Sequence, residues 1–242
     1  MARRLTAEAL GTAMLLAAVV GSGIMGERLA GGNVAVALLA NTVSTGAALV
    51  ALILAFADIS GAHFNPVVTL VEAVRGRRAW VEAAAYVAAQ ILGAFAGVAT
   101  AHVMFGEPLF SASLHPRNGA AQFVSEVVAT FGLIAVILGC SRTRPAAVPF
   151  AVGAYITAAY WFTASTSFAN PAVTLARSMT DTFAGIRPVD VPGFIVAQCI
   201  GGGAASLVVG WLLSASPTSA AVIGMHPTRV TAVTEGSEGS AS

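Results

Sequence analysis

The chain has 242 residues, 57% of them hydrophobic and only 10% charged, with a formal net charge of +1. Soluble domains carry roughly 25% charged residues, so this composition and a mean hydropathy of +0.81 exclude a water-soluble globule and point to a polytopic membrane protein. No basic patch with interleaved aromatics is present, so no nucleic-acid partner is expected.

In chain order, apolar runs near or above the length that crosses a bilayer fall at about residues 5–25, 35–56, 81–105, 121–138, 146–164 and 194–213. Six spans are therefore expected. The start, MARR followed by an apolar run, also has the shape of a signal peptide, but five further spans follow and the reading is an uncleaved first helix. Every Lys or Arg in the chain is arginine. Eight of the twelve, Arg3, Arg4, Arg75, Arg77, Arg78, Arg142, Arg144 and Arg229, share one side of a six-span layout, leaving Arg28, Arg117, Arg177 and Arg187 opposite. By the positive-inside rule both termini are expected in the cytoplasm. Cys140 and Cys199 read as packing residues rather than a disulfide. The region 214–242 is rich in Ser, Thr, Gly and Ala, and is expected to be a disordered tail.

Three short signatures recur in the same order, about 105 to 118 residues apart. Glu8-Ala-Leu-Gly-Thr12 is echoed by Glu126-Val-Val-Ala-Thr130. Asn65-Pro-Val-Val-Thr-Leu70 is echoed by Asn170-Pro-Ala-Val-Thr-Leu175, and Ala89-Gln-Ile-Leu-Gly93 by Ala197-Gln-Cys-Ile-Gly201. The channel domain 1–213 thus divides into repeats at about 5–105 and 121–213. Three spans per repeat is an odd number, so the second copy enters the membrane from the opposite side and the repeats are inverted.

Asparagine is a strong N-cap, and proline suits the first helical turn. From Pro66 to about Val74 a helix would be roughly 13 Å long, close to half of a ~30 Å hydrocarbon core. Such a segment dips in without crossing, and two from opposite faces would meet at their N-termini. The expected fold is an all-α membrane protein with six transmembrane helices and two re-entrant half-helices.

SGAHFNPVVTL (Ser60–Leu70) and FANPAVTLARS (Phe168–Ser178) resemble the paired Asn-Pro-Ala boxes of the aquaporin and glycerol-facilitator family. The resemblance runs from Glu8 to about Gly210. It implies pore motifs at Asn65, Pro66 and Val67 and at Asn170, Pro171 and Ala172, with both asparagine amides donating to a passing solute. It implies structural support by Glu8 and Glu126, which match glutamates that accept hydrogen bonds from the loop backbones. His63 matches a pore-lining histidine, although a packed loop histidine is an equal reading. The first box departs from the pattern, and Val67 is expected to add bulk where the half-helices touch.

The second departure is larger. The family usually places an arginine directly after the second box, where this chain has Val173. The family's spacings put the other filter positions at Ser167, Ala158 and Thr45. This small-residue ring implies a permissive pore for neutral solutes: water, glycerol, other polyols, and undissociated arsenous acid or related metalloid hydroxides. Arg177 lies one helical turn beyond Val173; it could reach back to the filter, and the favoured reading sends it to the outer vestibule. The resemblance also implies a homotetramer in the lipid bilayer. No enzymatic activity, cofactor or metal is expected. The rival function is an ion-coupled secondary transporter of a small solute, which shares inverted repeats but needs coupling ionisable groups.

Overall fold

Inside hydrocarbon every backbone N–H and C=O must find a partner within the chain, which makes α-helix the natural form of long apolar runs. The computed structural model describes residues 1–214, and within them the chain forms eight α-helices. These are α1 (Ala2–Leu29), α2 (Val34–Ser60), α3 (Pro66–Val74), α4 (Trp80–Phe105), α5 (Ala120–Thr143), α6 (Val148–Phe162), α7 (Pro171–Arg177) and α8 (Val191–Ser214). The tail expected to be disordered lies, beyond Ser214, outside the described residues.

Helices α1, α2, α4 and α5, and α8 with the 3-10 turn before it, are each long and apolar enough to cross a membrane. The span expected at 146–164 takes another form: a 3-10 turn over Pro145–Ala147 leads into α6, which has only 15 residues. At 1.5 Å per residue α6 covers roughly 22 Å, and the turn adds about 6 Å, bringing the segment close to a hydrocarbon thickness. Pro145 and Pro149 sit in first-turn positions, where a missing N–H costs little.

Packing is matched in the two halves. α1 lies along α4 and α2, α5 lies along α8 and α6, and α2 meets α6 between the halves. Between membrane helices, small residues that let backbones approach set the contact. A Cβ on Gly93 of α4 would overlap the carbonyl of Ala9, and one on Gly201 of α8 would overlap the carbonyl of Val127. Large apolar side chains such as Leu10, Val36, Leu92, Val128, Trp161 and Leu207 are exposed, as a lipid-facing surface requires. Cys140 and Cys199 are both free. Cys199 is exposed rather than packed, because Gln198 beside it takes the inward face.

The two short helices begin inside the protein. Asn65 caps α3 by accepting the N–H of Val67, and Asn170 caps α7 by accepting those of Ala172 and Val173. Pro66 and Pro171 occupy the first helical turn. Ion pairs of Arg4 and Arg78 with Glu82, and the bond from Arg75 to the Ser206 carbonyl, gather the start of α1, the ends of α3 and α8 and the start of α4 on one face. We call this the terminal face. The end of α7 reaches the distal face, where Ser113 donates its N–H to the Ser178 carbonyl.

Val67 does not place its bulk where the sequence reading put it. Its side chain is seated against Gly202 of α8, in a cluster with Val71, Ile134 and Ala205. The missing Cβ at Gly202 is what accommodates the valine. Gly202→Ala should therefore lower thermal stability by an overpacking cost of about 1–3 kcal/mol. Val67→Ala added to it should restore most of the loss, as read from melting of the detergent-solubilised protein.

Candidate functional site

The loops leading to α3 and α7 carry irregular backbone at membrane depth, and two buried glutamates satisfy it. Glu8 is fully buried. Its Oε1 accepts the Ser60 hydroxyl at 2.6 Å and the His63 N–H at 3.0 Å, while Oε2 accepts the Phe64 N–H at 2.7 Å and the Gln90 amide at 2.8 Å. Glu126, equally buried, repeats the arrangement on the other loop. It accepts the Ser165 hydroxyl at 2.6 Å, the N–H groups of Phe168 and Ala169 at 2.8 and 2.9 Å, and the Gln198 amide at 2.6 Å. Gln90 and Gln198 donate onward to Thr69 and Thr174, whose hydroxyls donate to the Asn65 and Asn170 carbonyls.

Held this way, the loops adopt conformations that L-residues avoid. Ala62 and Phe64 have φ of 49° and 48°, and Ser167 and Ala169, at matching distances before the second asparagine, have 49° and 48°. Left-handed non-glycine residues cost of order 1–3 kcal/mol each and persist only where surroundings enforce them. The N–H side of each loop is turned to a carboxylate. The carbonyls of Ala62, His63, Ser167 and Phe168 accept no hydrogen bond among the described residues.

The loops also clasp each other. Asn65 Nδ2 donates to the Ala169 carbonyl at 2.7 Å, and Asn170 Nδ2 donates to the Phe64 carbonyl at 2.8 Å. An asparagine amide has two N–H donors, so each keeps one. A cavity of about 260 Å³ runs past both asparagines, from Glu72 and Arg77 near the terminal face to Thr45, Tyr160 and Arg177 on the distal side.

Thr45, Ser167 and Val173 line this cavity, as does His63. His63 is a loop residue as well, with Nδ1 3.0 Å from the Thr69 hydroxyl and its ring tilted against Tyr86 at 5.6 Å. Ala158 does not belong to the lining: it is exposed on the outside of α6. The inward position is Tyr160, whose hydroxyl donates to Thr45 Oγ1 at 3.3 Å. Two residues turn a helix by about 200°, so a gapless count that is two short lands on the opposite face.

Arg177 does not go to an open vestibule. It is 2% exposed and lines the cavity, with Nε donating to the Ala184 carbonyl and its guanidinium 3.5 Å from the Phe168 ring centre. Arg117, from the connection between α4 and α5, approaches the same ring at 4.9 Å. Its side chain donates to the carbonyls of Gly185 at 2.8 Å and Ser165 at 3.2 Å. A desolvated cation over an aromatic face gains of order 2 kcal/mol. Outside the membrane, partial burial and the Arg117 charge hold the His115 imidazole below its ordinary value, so it adds no positive charge near neutral pH.

The sequence reading gave no role in the site to Tyr160, Phe168 or Arg117. Ser60 and Ser165 were within reach, since each stands five residues before its asparagine, and so were Thr69 and Thr174, four residues after.

Two capped half-helices that meet inside a bundle of spanning helices, beside a cavity that runs past both asparagines, define a membrane pore. Residues 1–163 match the family described as major intrinsic protein. Aquaglyceroporin AqpS of Rhizobium meliloti (strain 1021) is 57% identical over 213 residues, covering 88% of this chain and 91% of that one. Aquaporin A of Dictyostelium discoideum is 35% identical over 185 residues, 71% of this chain and 66% of the relative. The X-ray structure of the aquaglyceroporin from Plasmodium falciparum shares the fold, with a TM-score of 0.71 at 22% identity over 89% of this chain and 99% of that one. The chain belongs to the major intrinsic protein family: it is a multi-pass membrane channel and not an enzyme.

The carboxylate networks yield a stability test. Glu126→Leu orphans four donors, at about 1–3 kcal/mol each, and should abolish the monodisperse folded peak in size-exclusion chromatography. Glu126→Gln keeps one carbonyl oxygen and should leave a measurable folded fraction.

Proposed function

We propose that this protein is a passive channel for small uncharged solutes: water, glycerol and other polyols, and undissociated arsenous acid or related hydroxides. The observation that carries this reading is the crossed pair of asparagines, each with one amide N–H committed to the opposite loop and one left for a solute oxygen. Hydroxyl solutes both donate and accept, and the free carbonyls of the two loops supply the acceptors. Both half-helices present N-terminal ends worth about half a positive charge at the same point, so a cation meets a barrier that a neutral molecule does not. A file of water polarised away from that centre in both directions conducts protons poorly.

Selection among neutral solutes is assigned to Thr45, Tyr160, Ser167 and Val173. With valine at 173 the ring lacks a fixed donor fork there and offers hydroxyls beside an apolar wall, which suits polyols. Glu8 and Glu126 act in support, without solute contact. The distal face is taken as outside, with both termini in the cytoplasm of a bacterial inner membrane and four copies in a homotetramer.

Stopped-flow measurements on proteoliposomes test this. Wild type should equilibrate water and glycerol with no requirement for a proton or sodium gradient; uptake that collapses without such a gradient would establish an ion-coupled transporter instead. Val173→Arg should slow glycerol by about tenfold, or about 1.4 kcal/mol of barrier, while water flux persists. Equal permeabilities in the two proteins would refute the filter assignment. Tyr160→Ala should act in the opposite direction and admit four- and five-carbon polyols that wild type passes slowly.

A further inference from the structure

We propose that the distal end of the channel holds a binding site for a small oxyacid anion of the monocarboxylate class, formed by Arg177 and Ser167. The site rests on the channel reading above and extends its solutes from neutral hydroxyl compounds to small hydroxy acids.

Arg177 is nearly inaccessible to solvent yet lines the cavity. Buried charges are ordinarily paired. Among the described residues neither Arg177 nor Arg117 forms an ion pair through its side chain. Glu126, behind the same loop, has both oxygens occupied by Ser165, Phe168, Ala169 and Gln198. Asp190 is engaged by the Arg187 side chain and the Arg117 backbone N–H. The one hydrogen bond that Arg177 makes from its side chain within the described protein uses Nε, toward Ala184. Its two Nη groups, the fork that matches a carboxylate, have no acidic partner among the described residues, and the polar side chain beside the guanidinium is the Tyr160 hydroxyl.

A second observation points to a ligand independently. Ser167 is 3% exposed and lines the same cavity, and its hydroxyl has no hydrogen-bond partner among the described residues. An unmade hydrogen bond at a buried hydroxyl is costly unless something supplies it. An α-hydroxy carboxylate would meet both needs, with its carboxylate on Arg177 and its hydroxyl on Ser167.

The electrostatics beyond the site carry the same sign. The half-helix N-termini at Asn65 and Asn170 favour negative charge. Of the charged lining residues, Glu72 is the sole acid, and it is paired with Arg77 at 3.3 Å near the terminal face. A cation is opposed along this path. A small anion is opposed by desolvation and by the unpaired loop carbonyls, which the guanidinium and the half-helix N-termini offset at the point of entry.

The test uses glycolate as the probe and the full-length protein in lipid nanodiscs. Saturation-transfer NMR at pH 7 should show transfer to glycolate with wild type and with the control Arg144→Gln, whose arginine is exposed on the terminal face. Arg177→Gln should weaken binding by about tenfold, the value of one charge-assisted hydrogen bond. Ser167→Ala, a change too small to threaten folding, should weaken it measurably and keeps the test decisive if the arginine variant is unstable. No transfer in wild type, or transfer in both Ser167→Ala and Arg177→Gln equal to that of wild type, overturns the site. Glycerol flux in proteoliposomes separates the two readings. A protein that binds glycolate but passes no glycerol overturns the channel and leaves the site standing, whereas one that passes glycerol without binding glycolate overturns the site alone.

Discussion

Irregular backbone inside a bilayer is tolerable only where protein groups replace the missing water, and in this protein that duty falls on two carboxylates. Each of Glu8 and Glu126 accepts four hydrogen bonds, two of them from loop N–H groups. An ionised side chain buried in a membrane is itself expensive. The two costs offset each other, because the loop donors that have no helical partner are the partners the carboxylate lacks. The left-handed residues at Ala62, Phe64, Ser167 and Ala169 follow from the same constraint. They turn the N–H groups to the carboxylate and leave the carbonyls for the pore.

Neither half of the molecule completes its own site. The amide of Asn65 is positioned by the carbonyl of Ala169, and that of Asn170 by the carbonyl of Phe64. Close backbone packing at Gly93 and Gly201 holds α4 on α1 and α8 on α5, the pairs that bring Gln90 to Glu8 and Gln198 to Glu126. The duplication is therefore more than an accident of descent, since two inverted copies supply two opposed helix N-termini at one depth. One copy would leave a single polar end unbalanced within the membrane.

The distal end of the pore departs from this symmetry. Val173 follows the second box directly, and the nearest arginine on α7 stands one turn later, folded against Phe168 beside the lumen. Charge is thus retained at the distal end of the cavity while the wall at position 173 is apolar. Tyr160 and Thr45, both lining the cavity, are joined by a hydroxyl-to-hydroxyl bond. The chemistry there is that of donors without carboxylates, a setting suited to oxygen-rich solutes.

The family resemblance supplied the pairing of each glutamate with its loop, but the spans, the inverted repeat and the two capped half-helices were legible in the residues themselves. They depend on local rules: apolar length, N-cap chemistry, proline position and the parity of three spans per repeat. The family's spacings pointed to Thr45, Ser167 and Val173, and all three line the cavity, two of them at short fixed distances from Asn170. What the sequence could not decide was facing and reach. Whether Ala158 or Tyr160 points inward depends on the phase of α6, which the proline-led turn before it sets, and two residues of phase reverse a helix face. Whether Arg177 reaches solvent or folds back depends on Phe168 and Ala184, and the second cation on that ring comes from Arg117, fifty-one residues upstream of Phe168. Such contacts are made by side chains from separate elements converging in space, and only the tertiary structure brings those elements together.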